Sequence, residues 1–236
     1  MPEPRAALIT RPLEDSRREA DALEAAGIPS EIWPLTAIRP VATRCWVPPT
    51  VDGLLLTSGH GARAFAALSD RRDLPALCVG ARTAEIARGL GFAAMPGGGD
   101  AAALARFAIG SGLRHFFHPR GRDTAADLPA LLKPSGQHVT EAVLYAAEET
   151  GPPPSPVAHA LASGRIGAVG LWSARNATHF ARHLTTLNAA PGLVAVAISE
   201  AAARPLADSA LTLRIADMPT GPAMRAALVE TLGAPT

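Results

Sequence analysis

The chain has 236 residues, 48% of them hydrophobic and 18% charged, with a formal net charge of +1. That is enough for one or two domains with a sizeable core, and the near-neutral balance argues against a dedicated nucleic-acid binder, which carries a basic excess. No apolar run approaches the roughly 20 residues of a membrane span, and residues 1–10 show no basic-then-apolar signal segment, so the expectation is a cytoplasmic protein with neither membrane nor nucleic-acid partners.

Short β-like runs alternate with amphipathic helical stretches. Ala6–Thr10 reads as a buried strand, followed by a helix that opens at Pro12, carries Glu14 and Asp15 in its first turn and stops at Gly27. Glu31–Leu35 is a second strand. Residues 36–50 are rich in Pro and Thr, lack a period and read as a linker. Val51–Leu56 is a strand, Thr57–Gly61 a turn and Ala62–Leu68 a helix, with Ala76–Val79 and Ala81–Leu90 as the next strand and helix. Gly97–Gly99 form a loop, and Asp100 caps a helix over Ala101–Ala108. Arg114–His118 is a strand. Asp123–Lys133 is helical in pattern but holds Pro129, so the helix is either kinked or begins near Asp127, and Gly136 ends it. His138–Ala146 is a strand that ends close to Tyr145, and Gly151–Pro156 reads as a stiff connector. The last series is strand Ile166–Trp172, a helix capped by Ser173 with Ala177, Phe180, Ala181, Leu184 and Leu187 on one face, strand Leu193–Ile198, helix Glu200–Asp208, strand Leu211–Ile215 and helix Pro222–Leu232. Such alternation builds parallel sheets covered by helices.

The units repeat. Ile9–Leu35 matches Phe117–Tyr145, Leu54–Phe65 matches Val169–Phe180, and Leu77–Leu90 matches Val196–Ala207. The offset drifts from 108 (Ile9 to Phe117) to 119 (Gly80 to Ser199), as inserted loop residues cause. The linkers at 36–50 and 147–156 cut the chain into three pieces, the first too small for its own core. The expected division is therefore a discontinuous domain of 1–36 plus 147–236, with 37–146 inserted as a second domain.

Chemistry in parallel sheets sits at the carboxyl ends of strands, where helix N-termini offer free N–H groups to anions. The repeat places Thr57-Ser58, Gly80-Ala81-Arg82-Thr83 and Ser173-Ala174 at such junctions. A hydroxyl there caps its helix, contacts a ligand, or does both. No G-x-G-x-x-G, P-loop or G-x-S-x-G pattern is present, so nucleotide binding and a serine-hydrolase elbow find no support. His115 and His118 share a strand and His179 and His183 stand i,i+4 on a helix, but no third metal ligand is evident. His60 reads as an exposed turn histidine, and Cys45 and Cys78 as buried thiols without CxxC partners. Lys133 is the only lysine; with Ala and Pro abundant too, the arginine preference reads first as the mark of a genome rich in G and C, with carboxylate recognition as the alternative.

Together, Ile9–Gly27 (opening ITRP), LLLTSGHGARAF, VGARTAEIARGLG, VTEAVLY, LWSARNATHF and the AISEAAA junction resemble the uroporphyrinogen-III synthase family over nearly the whole chain. The resemblance implies an α/β fold of two parallel-sheet domains joined by two linker strands, with an active-site cleft between the domains. It implies a cyclising hydro-lyase that takes hydroxymethylbilane, removes its terminal hydroxyl, inverts ring D through a spiro intermediate and closes the macrocycle, with no metal or organic cofactor. Carried over by motif, Tyr145 matches the tyrosine that assists hydroxyl departure, Ser58 and Thr83 match ligand-contacting turn hydroxyls, and Ser173 matches the serine of the other domain's turn. Ser199 stands where the family often has threonine. Thr57 and Gly80 flank these turns, and Arg11, Arg82 and Arg175 are the cations available for the substrate's carboxylates. A monomer is expected. The competing class is a non-catalytic two-lobed protein binding a small anion; a nicotinamide oxidoreductase is disfavoured by the missing glycine fingerprint.

Overall fold

A computed structural model describes residues 5–233. In chain order the elements are β1 (Ala6–Ile9), α1 (Leu13–Glu24), β2 (Ser30–Ile32), β3 (Thr36–Pro40), β4 (Gly53–Leu56), α2 (Gly59–Leu68), β5 (Ala76–Cys78) and α3 (Ala81–Gly89). There follow β6 (Ala94–Pro96), α4 (Ala101–Gly110), β7 (His115–Gly121), α5 (Leu128–Leu132), β8 (His138–Glu149) and α6 (Ser155–Ala162). The chain closes with β9 (Ile166–Leu171), α7 (Ala174–Leu184), β10 (Val194–Ala197), α8 (Glu200–Ala203), β11 (Thr212–Ile215) and α9 (Gly221–Leu232). It divides into two compact units, Met1–Ala37 with Glu148–Thr236, and Ile38–Ala147.

The discontinuous unit holds a sheet of order β11-β10-β9-β1-β2 whose pairings are all parallel. Side chains alternate across each strand. Leu8, Val169 and Leu171 pack one face with Val157, Leu161 and Phe180, while Ala7, Ile9, Ala168 and Val196 pack the other with Leu23, Met224 and Leu228. The continuous unit repeats the scheme with the order β3-β8-β7-β4-β5-β6. Leu54, Leu56 and Phe117 join the face under Phe65, Ala84 and Ala87; Leu55, Leu77 and Phe116 join the face under Leu104, Ala108, Leu128 and Leu132. Burial on both faces is why these strands read as unbroken apolar runs.

Apart from edge strand β3, which has no counterpart, the two orders are the same once the repeat is followed. β1, β2, β9, β10 and β11 correspond to β7, β8, β4, β5 and β6, so each sheet places its first and third strands side by side at the centre. The α/β class with two mainly parallel sheets is thus as expected from the alternation.

Several local expectations are corrected. Residues 36–50 are not wholly aperiodic: Thr36–Pro40 form edge strand β3 beside β8, where proline is tolerated. Strand β2 is shorter than Glu31–Leu35, although the Trp33 and Leu35 N–H groups still donate to the Ile9 and Thr10 carbonyls. Helix α2 starts at Gly59 and not after Gly61, which puts His60 in its first turn. Strand β6 went unanticipated. Of the two options at Pro129, the late start is observed, with Asp127 capping the Ala130 N–H at 2.9 Å. Tyr145 lies inside β8, which runs on to Glu149. The connector Gly151–Pro156 is partly helical: Pro154 and Pro156 sit at the start of α6, where missing N–H groups cost nothing. Residues 200–208 make one α-turn and then a 3₁₀ turn over Arg204–Leu206. Cys78 is buried, and burial pushes its thiol up to about 11, but Cys45 is only half-buried.

Candidate functional site

In an open parallel sheet the chain leaves neighbouring strands in opposite directions where the order reverses, which opens a crevice beyond their carboxyl ends. Here that reversal falls between β1 and β9 in one unit and between β7 and β4 in the other. Thr57 and Ser58 follow β4, and Gly121 ends β7. Arg11 follows β1 and Ser173 follows β9. Thr57, Ser58, Arg11 and Ser173 therefore stand at the reversal points, whereas Gly80, Arg82 and Thr83 follow β5 and Ser199 follows β10.

In the continuous unit a pocket of about 390 Å³ opens there, lined among others by Thr57, Ser58, His118, Gly121, Asp123 and Tyr145. Ser58 adopts an extended backbone as N-cap of α2, and its hydroxyl accepts from the Gly61 N–H at 3.0 Å. The same hydroxyl lies 2.8 Å from the Tyr145 hydroxyl. With the Ser58 proton given to the phenol oxygen, the phenol's own proton is available to a ligand. Burial pushes the Tyr145 phenol above its ordinary value near 10, partly offset by the hydrogen bonds from Ser58 and the Gly121 N–H. The phenol therefore stays protonated and able to donate. The His60 ring stands 6.1 Å from the Tyr145 ring.

Behind Thr57 runs a chain of polar groups that the sequence did not reveal. The Thr57 hydroxyl is 3.2 Å from Nε2 of His118, and Nδ1 of His118 is 3.0 Å from Oε1 of Glu141. Arg120 Nε stands 3.1 Å from the other Glu141 oxygen. His118 is 1% exposed, and burial lowers its pKa below 6.5 against the pull of Glu141. A neutral ring facing a carboxylate keeps its proton on Nδ1, which leaves Nε2 to accept from Thr57. One signal was present in the sequence: the repeat pairs His118 with Thr10, the buried polar residue that follows β1 in the other unit.

The other candidates of this unit lie apart from the pocket lining. Gly80 is the N-cap of α3, has no side-chain cap, and stands close to Gly99, which does line the pocket. A free helix N-terminus beside a pocket suits a carboxylate. Arg82 is exposed and pairs with Glu85 at 2.7 Å. Thr83 is not brought to the pocket: it is 7% exposed on the buried side of α3.

In the discontinuous unit Ser173 caps α7, accepting from the Asn176 N–H at 3.1 Å, and Ser199 caps α8, accepting from the Ala202 N–H at 3.4 Å. Arg175 is exposed in the first turn of α7. The Arg11 guanidinium stands 5.7 Å over the Trp172 ring and 3.5 Å from Asp15. Thr10 and Asn176 tie the two strand ends together: the Asn176 amide donates to the Thr10 carbonyl at 2.8 Å, and the Thr10 hydroxyl lies 2.6 Å from both the Gly170 backbone carbonyl and the Asn176 side-chain carbonyl.

Glu149 meets His179 at 2.8 Å, Arg182 at 2.6 Å and His183 at 3.9 Å. No group of three or more His, Cys, Asp or Glu side chains among the described residues is arranged to hold a metal ion. No helix among them is long and apolar enough to cross a membrane.

The family model described as uroporphyrinogen-III synthase HemD matches residues 18–226. No curated protein matches. Among solved structures, the uroporphyrinogen-III synthetase of Helicobacter pylori 26695 is similar at a TM-score of 0.65 and 15% identity, covering 96% of this chain and 99% of that one. A mutant uroporphyrinogen III synthase from Thermus thermophilus aligns at a TM-score of 0.49 and 17% identity, covering 96% and 98%. The first of these likenesses shows a shared fold.

Proposed function

The chain belongs to the uroporphyrinogen-III synthase family, a hydro-lyase family of tetrapyrrole biosynthesis, and we propose that its pocket beside Tyr145 holds the end of hydroxymethylbilane that loses the hydroxyl. The observation that carries this reading is the Ser58–Tyr145 pair, two hydroxyls 2.8 Å apart at the reversal point of the sheet.

The reaction breaks the C–O bond of a hydroxymethyl group on an electron-rich pyrrole, and the bonding electrons leave with the oxygen. Ser58 donates to the Tyr145 oxygen, and Tyr145 donates to the departing oxygen. The ring left behind is a cation that ring D attacks, first at its carbon already bridged to ring C, to give the spiro intermediate; the older bridge bond then breaks with its electrons returning to ring D, and the free α-carbon of ring D closes onto the cation so left on ring C. The proton released from the ring carbon at final closure completes the balance, so the net loss is one water. The bilane is intrinsically reactive, so holding ring D for attack contributes more than proton donation alone.

The substrate's acetates and propionates need partners without a large net positive charge. The uncapped N-terminus of α3 at Gly80 serves one, and Arg11, Arg82 and Arg175 are the cations near strand ends. Arg82 would exchange its Glu85 partner for a substrate carboxylate. Ser173 and Ser199 supply capped junctions of the same design. Thr83 serves by packing α3 on its sheet.

The test is the product isomer. Mixed with freshly generated hydroxymethylbilane, the purified protein is expected to yield the type III isomer. Formation of the type I isomer alone, as in spontaneous closure, overturns the reading in favour of a two-lobed binding protein.

A further inference from the structure

The chain Glu141–His118–Thr57 ends at the same pocket as Tyr145 but is not used by proton donation to the leaving oxygen. Its direction is fixed by its members. Glu141 is acceptor-only as a carboxylate, so Nδ1 of His118 must donate to it at 3.0 Å. Nε2 is then an acceptor, and the only proton on the Thr57 hydroxyl goes to it at 3.2 Å. The Thr57 oxygen is left with its lone pairs for the pocket. A pyrrole presents the complementary group, an N–H donor. When hydroxide leaves the adjacent carbon, the ring takes up positive charge and that N–H becomes a stronger donor.

We propose that Glu141 and His118 are positioning residues that hold the Thr57 oxygen as an acceptor for the N–H of the pyrrole that becomes cationic. This rests on the reading that the Tyr145 pocket holds the hydroxyl-losing end of the substrate. Tyr145 then serves the oxygen that leaves, and Thr57 the ring that stays. The carboxylate at the far end polarises the chain toward the pocket, and hydrogen bonds in series reinforce one another where water is excluded. His118 at 1% exposure meets that condition. Its charged or titratable surroundings are Glu141 and Tyr145 on β8, Arg120 on its own strand, and Asp100 and Asp123 on the pocket wall.

The arrangement has a pH signature. When His118 takes a second proton, Nε2 becomes a donor to Thr57, and the Thr57 proton must turn into the pocket against the pyrrole N–H. Activity therefore falls on the acid side as His118 titrates, below pH 6.5 since burial lowers its pKa.

The experiment compares kcat/KM for type III formation from pH 5 to 9 in the parent, Thr57→Val, Thr57→Ser, Glu141→Gln and Tyr145→Phe. Thr57→Val keeps the side-chain shape and is expected to lose about tenfold or more, since the lost hydrogen bond is made to a developing charge, and to lose the acid limb. Thr57→Ser is expected to restore both. Glu141→Gln, at a side chain 27% exposed, is expected to match Thr57→Val, because an amide can donate to Nδ1 and reverse the chain. A Thr57→Val or Glu141→Gln enzyme as fast as the parent, or an unchanged acid limb in Thr57→Val, overturns the proposal. Tyr145→Phe separates this from the site reading. If it is slowed while Thr57→Val is not, only the role of Thr57 falls; if neither is slowed, the pocket is not the site.

Discussion

A β-carbon added to Gly121 would stand 3.0 Å from Cε2 and 3.1 Å from Cζ of Tyr145. Gly121 ends β7 one strand over from β8, and the absence of its side chain leaves the room that the phenol ring occupies. Gly121→Ala should push the ring by a few tenths of an ångström and slow type III formation severalfold; Gly121→Val should push further and approach about 100-fold. Both variants should melt near the parent temperature, since the three atoms nearest the added β-carbon all belong to the tyrosine. Equal rates for parent and Gly121→Val would show that the position of Tyr145 does not matter.

Tyr145→Phe keeps the ring and removes only the hydroxyl. Loss of one donor at a developing charge costs about 100-fold or less here, because the hydroxyl departs readily from an electron-rich ring. Spontaneous type I product should accumulate as type III slows. The ratio of isomers against enzyme concentration is the readout, and an unchanged ratio would make Tyr145 a wall residue.

Ser58→Ala removes a helix cap and the partner of Tyr145 together. The cap contributes about 1 kcal/mol to the continuous unit, which urea unfolding can measure. The rate should fall less than in Tyr145→Phe, because the phenol can still donate. A Ser58→Ala variant slower than Tyr145→Phe would mean that the serine, and not the phenol, meets the leaving oxygen.

Asn176→Ala tests the corresponding joint of the other unit. It removes one of the two donors to the buried Thr10 carbonyl, the 2.8 Å amide, and leaves the Leu35 N–H at 3.1 Å. Loss of a hydrogen bond between groups that keep another partner costs about 0.5–1.5 kcal/mol, so the melting temperature should drop by a few degrees. Unchanged stability would show that water replaces the amide.

His118 also sets an acid limit to stability. Its folded pKa is depressed, so the folded state resists a proton that the unfolded chain accepts near pH 6.5. The stabilising effect of a neutral His118 is complete above that pH and is lost as pH falls through the lower folded value. His118→Phe should flatten the pH dependence of unfolding in this window. A parental slope in the variant would assign the titration elsewhere.

What the sequence displayed and what it hid have different causes. Leu54–Leu56 and Ile166–Leu171 were legible because burial on both faces writes itself as a continuous apolar run. Ser58, Asp100 and Ser173 were legible as caps because capping is decided within three residues. Strand β6 is three residues long with Met95 and Pro96 exposed, so it leaves almost no local trace, whereas its counterpart β11 is legible as the apolar-rich run Leu211–Ile215. Glu141 became a partner of His118 only through the parallel register of β7 and β8, and Thr57 only through the neighbouring strand. Groups 23 and 61 residues apart in sequence are joined by pairing that no local pattern records.

The place of β1 between β2 and β9 carries a consequence for how this protein is made. On the ribosome β1 emerges first, but the neighbour that covers its other edge is not translated until Ile166–Leu171. At about 5–20 residues per second, that strand waits roughly ten to thirty seconds with an open edge. Residues 38–147, which carry both faces of their own core, emerge complete in the meantime. An exposed β edge is a template for unwanted pairing, so the nascent amino-terminal unit of strand, helix and strand is the stretch for which a chaperone has most to shield.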